Sequence, residues 1–164
     1  MKIGIIGAEN SHSAAIAKTL NVEKQIRGVS VDCIWGETEE FARAAAEKGQ
    51  LPTVVKRSTA MLGKIDALIV DHRHAKHHLK AAGPYLAAGI PMFIDKPFCY
   101  RSREGKAFLA LARRKKVPVT SYSTTPLSQS AEELKRKVSE LGTLHAVASF
   151  GPCDLDSVYG GVFF

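Results

Sequence analysis

The chain has 164 residues, 45% of them hydrophobic and 24% charged, and its 23 Lys and Arg outnumber 16 Asp and Glu to leave a formal charge of +7. That balance belongs to a globular chain that buries a core without disulfides, and it excludes a disordered tail, a collagen and a small disulfide scaffold. No apolar run approaches the roughly 20 residues of a bilayer span, and Met1-Lys2-Ile3-Gly4-Ile5-Ile6-Gly7 is too short for the apolar core of a signal peptide.

Lys2 to Gly7 reads as a short buried strand, and Ser11 to Leu20 as a helix with Asn10 or Ser11 as its cap. Val29 to Trp35 is a second strand, closed by Gly36. Thr38 to Lys48 is helical, with Phe41, Ala42, Ala45 and Ala46 on one face and Gly49 just past the end. Pro52 to Val55 is a third strand, Ser58 to Leu62 a turn or short helix, and Ile65 to Val70 a strong fourth strand. Ala75 to Ala88 is helical and stops at Gly89; Pro91 to Ile94 is a fifth strand, ended by Pro97. Ser102 to Lys116 is a helix with Phe108, Leu109, Leu111 and Ala112 inward, and Val117 to Tyr122 a sixth strand. Most of these strands are continuous apolar runs, which means burial on both faces, as in a parallel sheet covered by helices. The expected fold is therefore α/β, a Rossmann-type doubly wound parallel sheet over residues 1–123.

The pattern changes near Thr124. Ser128 to Leu141 is helical, with Leu134, Val138 and Leu141 at helical spacing and Gly142 as cap. Thr143 to Phe150 alternates like a half-exposed antiparallel strand, and the last residues are Gly160-Gly161-Val162-Phe163-Phe164. The expectation is that 124–164 is the truncated start of a second, α+β domain.

Cys33, Cys99 and Cys153 are far apart and form no Cys-x-x-Cys, which argues against a zinc framework or disulfides and suits a reducing cytoplasm. The basic run Arg113-Arg114-Lys115-Lys116 reads as a solvated helix end that complements the carbonyl dipole. Nucleic acid is not an expected partner, because no helix-turn-helix or stacking aromatic pattern accompanies the charge. Neither is a membrane.

Chemistry is expected at the ends of the strands. The first strand runs into Gly7-Ala8-Glu9-Asn10-Ser11-His12, where a dinucleotide-binding fold exposes backbone N–H groups to a pyrophosphate. Only Gly7 matches Gly-x-Gly-x-x-Gly; Glu9 and His12 stand in place of the other two glycines, while Asn10, Ser11 and Ser13 add donors. Both a cofactor loop and a Rossmann-like turn that binds nothing remain open. Gly36-Glu37 follows the second strand, and Glu37 either holds ribose hydroxyls or favours a helix dipole. Asp71 and His72 end the fourth strand as candidate cofactor or substrate contacts. His74 and His78 share an i, i+4 spacing, but no cysteine or carboxylate completes a ligand set, so no metal is assigned. The sharpest signal is Phe93-Ile94-Asp95-Lys96-Pro97-Phe98, in which a strand delivers an acid and a lysine to its carboxyl end. A lysine there can exchange a proton, with Asp95 holding it charged or orienting it.

Lys2 to Gly7, Ile65 to Val70, the His-rich stretch to His78, Ala87-Ala88-Gly89 and Phe93 to Pro97 together resemble the glucose–fructose oxidoreductase and inositol 2-dehydrogenase (Gfo/Idh/MocA) family over residues 1 to about 123. Asp95-Lys96-Pro97 is similar to the family's Glu-Lys-Pro motif, with Asp for Glu. The resemblance implies NAD or NADP as cofactor and a catalytic Lys96 that touches nicotinamide and substrate. It also implies a second domain that selects a sugar, cyclitol or related polyol and drives homo-oligomer formation. A chain ending before that domain's catalytic histidine is expected to turn over poorly. The competing expectation is a non-catalytic Rossmann-fold binding or regulatory module.

Overall fold

The computed structural model describes residues 1–123 and 127–148. The chain divides into two compact units, Met1–Ser123 and Thr124–Phe164. In the first unit β1 (Lys2–Ile6) leads to α1 (Ser11–Ala17), which continues as one wider turn over Lys18–Val22. Then come β2 (Ser30–Trp35), α2 (Glu39–Gly49), β3 (Thr53–Val54) and a 3-10 turn at Ser58–Met61. β4 (Ala67–Val70) is followed by a 3-10 turn at Ala75–His77 and α3 (His78–Ala87). β5 (Met92–Ile94), α4 (Ser102–Lys115) and β6 (Val119–Thr120) complete it.

The six strands form one sheet in the order β3-β2-β1-β4-β5-β6, every pair parallel. This is the doubly wound Rossmann arrangement, with its switch point between β1 and β4. Successive strand residues serve opposite faces, as the two-residue period requires, except across the register irregularity in β2 that sets Val31 and Ile34 on one face. Ile3, Ile5, Val31, Ile34 and Ile69 pack with Ala17, Leu20, Ala42, Ala45 and Ala46 of the first two helices. Ile6, Leu68, Val70, Met92 and Ile94 pack with Tyr85, Leu86, Phe108 and Ala112 of α3 and α4. Being covered on both sides is why the strands read as unbroken apolar runs.

Several local expectations shift. The inward face of α2 is Ala42, Ala45, Ala46 and Gly49, while Phe41 is 40% exposed. Phe41 precedes Ala42 by one residue and so turns about 100° away from that stripe. Gly49 is the last residue of α2, and Gln50 takes the left-handed cap at φ 50°. Leu109 is half-buried rather than part of the core formed by Phe108 and Ala112.

In the second unit α5 (Gln129–Ser139) is capped by the Ser128 hydroxyl, which accepts from Ala131 N–H at 3.2 Å. Gly142 has φ 74°, but the helix ends earlier, with Glu140 as its cap. Residues 143–148 form no strand, and the rest of the expected strand, with Cys153 and the terminal glycines and phenylalanines, lies outside the described residues.

Candidate functional site

Register aligns the strand ends. Ile6 sits opposite Trp35 on one side and Val70 on the other, and Val70 opposite Ile94. The next residues, Gly7, Gly36, Asp71 and Asp95, therefore share one row along the carboxyl edge of the sheet. This is where open α/β sheets bind ligands.

Gly7 has φ 108°, and a Cβ there would lie 2.5 Å from both the Asp71 carbonyl carbon and the His72 nitrogen. No side chain fits where the turn after β1 crosses the end of β4. Past Gly7, the N–H groups of Ala8 and Glu9 donate to one oxygen, Glu37 Oε2, at 2.8 and 3.0 Å. The turn thus has the geometry of an oxyanion cradle, and a carboxylate of the protein stands where a phosphate oxygen would. Glu37 Oε1 is buried without a hydrogen bond. Glu9 itself is turned to the surface, where Arg73 lies 3.6 Å from its carboxylate.

Asn10 caps α1, its Oδ1 accepting from His12 N–H at 3.3 Å. Its Nδ2 donates to Asp71 Oδ1 at 3.1 Å and to Asp95 Oδ2 at 3.3 Å. His12 Nδ1 stands 3.2 Å from Asp95 Oδ2 and 3.7 Å from Asp71 Oδ1. Residues 10, 12, 71 and 95, far apart in the chain, thus converge on one polar knot. Burial, and then the neighbouring charge of Asp95, push the Asp71 carboxyl up to about 8.

Behind the knot is a run of rings. His72 is buried and packs beside Trp35, His77 and His78 at centroid distances of 5.8, 5.6 and 6.0 Å. Burial pushes its imidazole down to about 4. His78 is fully buried, with Nδ1 3.1 Å from Pro97 O and Nε2 2.8 Å from His72 O. Both its nitrogens are thereby committed to carbonyls, so the His74/His78 ligand pair considered from spacing does not form. A neutral ring donates to one carbonyl at a time, and only the imidazolium donates to both. Either way His78 ties the loop after β4 to the loop after β5.

Lys96 and Pro97 are exposed at the mouth of the edge, joined by a cis peptide bond. Asp95 does not hold the lysine as expected: among the described residues no ion pair joins them, because the buried Asp95 carboxylate faces Asn10 and His12. Ser11, the first residue of α1, is exposed. Sequence reasoning did not anticipate the structural ties made by Trp35, Arg73 and His78. Their roles depend on neighbours from other strands and leave no local signal.

The model of an oxidoreductase family with an NAD-binding Rossmann fold, Gfo/Idh/MocA, matches residues 1–123. A curated relative, "Putative oxidoreductase YceM" of Salmonella typhimurium, is 25% identical over 159 residues, covering 94% of this chain and 50% of its own. Among solved structures, biliverdin reductase of Synechocystis sp. PCC 6803, in complex with biliverdin and NADP+, is 18% identical with a TM-score of 0.74. The similarity covers 87% of this chain and 44% of that one. Scyllo-inositol dehydrogenase of Lactobacillus casei, with bound NAD(H) and scyllo-inositol, is 17% identical with a TM-score of 0.68, covering 85% and 41%. At such identities the likeness to solved structures is one of fold, and the chain spans about half the length of the curated relative it matches. With the family model covering three quarters of its length, the chain belongs to the Gfo/Idh/MocA family of oxidoreductases.

Proposed function

We propose that this chain supplies the nucleotide-binding half of an NAD- or NADP-dependent oxidoreductase acting on a hydroxyl-bearing carbon of a sugar, cyclitol or related polyol. The observation that carries the reading is the alignment of the Gly7 turn, Asp71 and Asp95-Lys96 on one edge at the switch point of the sheet. The nicotinamide cofactor supplies the hydride acceptor or donor when bound. Ala8 and Glu9 N–H take a diphosphate oxygen in place of Glu37 Oε2. Released from the turn, Glu37 stands at the end of β2, the position from which an acid accepts from ribose hydroxyls. Gly36, Asn10, Ser11 and His12 line the approach, and Asp71 and His72 close it from β4. Lys96 holds or returns the proton of the reacting hydroxyl, and Pro97 fixes its backbone with the help of His78. Substrate choice and homo-oligomer formation belong to residues from 124 onward and to the further length that relatives carry.

A second reading, a non-catalytic binding or regulatory module, draws on the same turn, because Glu37 already satisfies its N–H groups. Titration of the chain with NADH and NADPH, followed by nicotinamide fluorescence, separates the two. Saturable binding is expected, and none at millimolar concentration removes the enzymatic reading. In a protein that carries this sequence, Lys96→Ala is expected to lower kcat about 100- to 10,000-fold; unchanged turnover favours the module.

A further inference from the structure

We propose that His12, Asp71 and Asp95 bind a single divalent cation of the zinc class. The proposal shares the edge of the nucleotide reading, where His12 and Asp71 also line the cofactor approach, but it needs only these three side chains and no bound nucleotide. One ligating atom from each lies within 4.8 Å of the others. Metal–nitrogen and metal–oxygen bonds of about 2.0–2.2 Å at tetrahedral angles separate two ligand atoms by roughly 3.3–3.6 Å. His12 Nδ1 is already 3.2 Å from Asp95 Oδ2 and 3.7 Å from Asp71 Oδ1. The site is thus nearly at coordination spacing, and small side-chain rotations close the rest.

The three ligands come from three rigid elements. Asp71 N–H donates to Ile6 O at 2.7 Å and Asp95 N–H to Val70 O at 2.9 Å, so the sheet fixes both acids. His12 is held by the Asn10 cap. Asn10 Nδ2, 3.1 and 3.3 Å from the two carboxylates, makes the outer-shell bonds that orient metal-binding oxygens.

A second observation points to a cation. The Asp71 side chain is 1% exposed, yet its Oδ2 accepts no hydrogen bond. Buried carboxylates are stable when paired or when they coordinate a metal, and no Lys or Arg pairs with either acid among the described residues. The set of one imidazole and two carboxylates is one that zinc accepts. His12 remains 42% exposed, which leaves an open side from which an ion enters and to which a water or hydroxyl can bind. Binding there, the ion displaces the proton that burial keeps on Asp71 and offsets the negative charge that the two carboxylates then carry.

The rival occupant is a proton shared between the two acids. The test uses the whole chain, stripped with a chelator and titrated with Zn2+ by calorimetry, and with Co2+ by visible absorption. The expected result is one ion per chain with the absorption bands of tetrahedral cobalt. His12→Ala, a partly exposed position, and Asp95→Asn, a near-isostere, are each expected to weaken binding at least tenfold while circular dichroism stays unchanged. A His74→Ala/His77→Ala variant controls for exposed histidines and is expected to bind as the parent does. No binding at millimolar ion overturns the proposal, as does binding abolished by the His74/His77 variant but untouched by His12→Ala. NADH titration of the metal-free chain reads out the nucleotide site separately, so failure of either is distinguishable from failure of the other.

Discussion

Glu37 Oε2 accepts the N–H groups of both Ala8 and Glu9, so one carboxylate occupies the donors on which any phosphate must land. Charge-assisted hydrogen bonds of this kind each contribute about 1.5–3 kcal/mol when shielded from water, and a ligand anion must compete with them. Glu37→Ala frees both donors. Inorganic pyrophosphate, which has no ribose to lose, is expected to bind the variant at least tenfold more tightly than the parent, as measured by calorimetry. NADH is expected to gain less, because the same substitution removes the acid that would face the ribose. Equal pyrophosphate affinity in both proteins would show that the turn is not the anion site. The sequence exposed Glu37 as an acid at the end of a strand, but not that its carboxylate folds back onto the turn. That contact joins residues 29 apart and depends on β1 and β2 being neighbours.

At the scale of elements, α1 and α2 approach so closely that a Cβ on Gly49 would lie 2.3 Å from Ala17 Cβ and 2.7 Å from Leu51 Cδ1. Alanine raises helix propensity by about 1 kcal/mol, whereas overpacking a filled interface costs about 1–3 kcal/mol. The contact is with a backbone-anchored methyl that cannot swing away, so overpacking wins. Gly49→Ala is expected to lower stability by up to about 2 kcal/mol in urea unfolding, the largest difference of those two effects; a stabilised variant would mean the helices separate freely. In the sequence Gly49 looks like a stop signal, because a glycine after a helical run usually is one. The left-handed turn falls instead on Gln50, and Gly49 is spent on helix packing. The alternation over Thr143–Phe150 misled in a similar way: a short period-2 pattern needs a strand partner to become a strand, and 143–148 form none.

For the whole molecule, two buried groups set opposite pH responses. The Asp71 carboxyl, pushed up to about 8 by burial and by Asp95, keeps a proton that the unfolded chain releases near its ordinary 3.8. Its contribution is complete below about pH 4 and is lost as pH rises to about 8. The imidazole of His72, pushed down to about 4 by burial, stays neutral while the unfolded chain protonates near 6.5. Its contribution is present above that value and is lost as pH falls toward 4. The two slopes oppose each other between about 4 and 6.5, and only the Asp71 slope remains from there to about 8. Urea unfolding in chelator is expected to show stability falling from pH 6.5 to 8, and Asp71→Asn to flatten that limb. A wild-type limb that rises over this range would contradict the burial of Asp71 as a neutral acid.

The sequence alone determined the alternation of strands and helices, the parallel character of the sheet, and the ends at which Gly7, Glu37, Asp71 and Asp95-Lys96 fall. These follow from hydrophobic period, capping residues and glycine punctuation, all of which act within a few residues. Tertiary structure decided which of those ends meet. It turned Asp95 away from Lys96 toward His12, laid Glu37 on the turn after β1, and bound His78 to two loops. Such contacts are set by strand order and register, which bring together groups as many as 85 residues apart, and no local pattern encodes that approach.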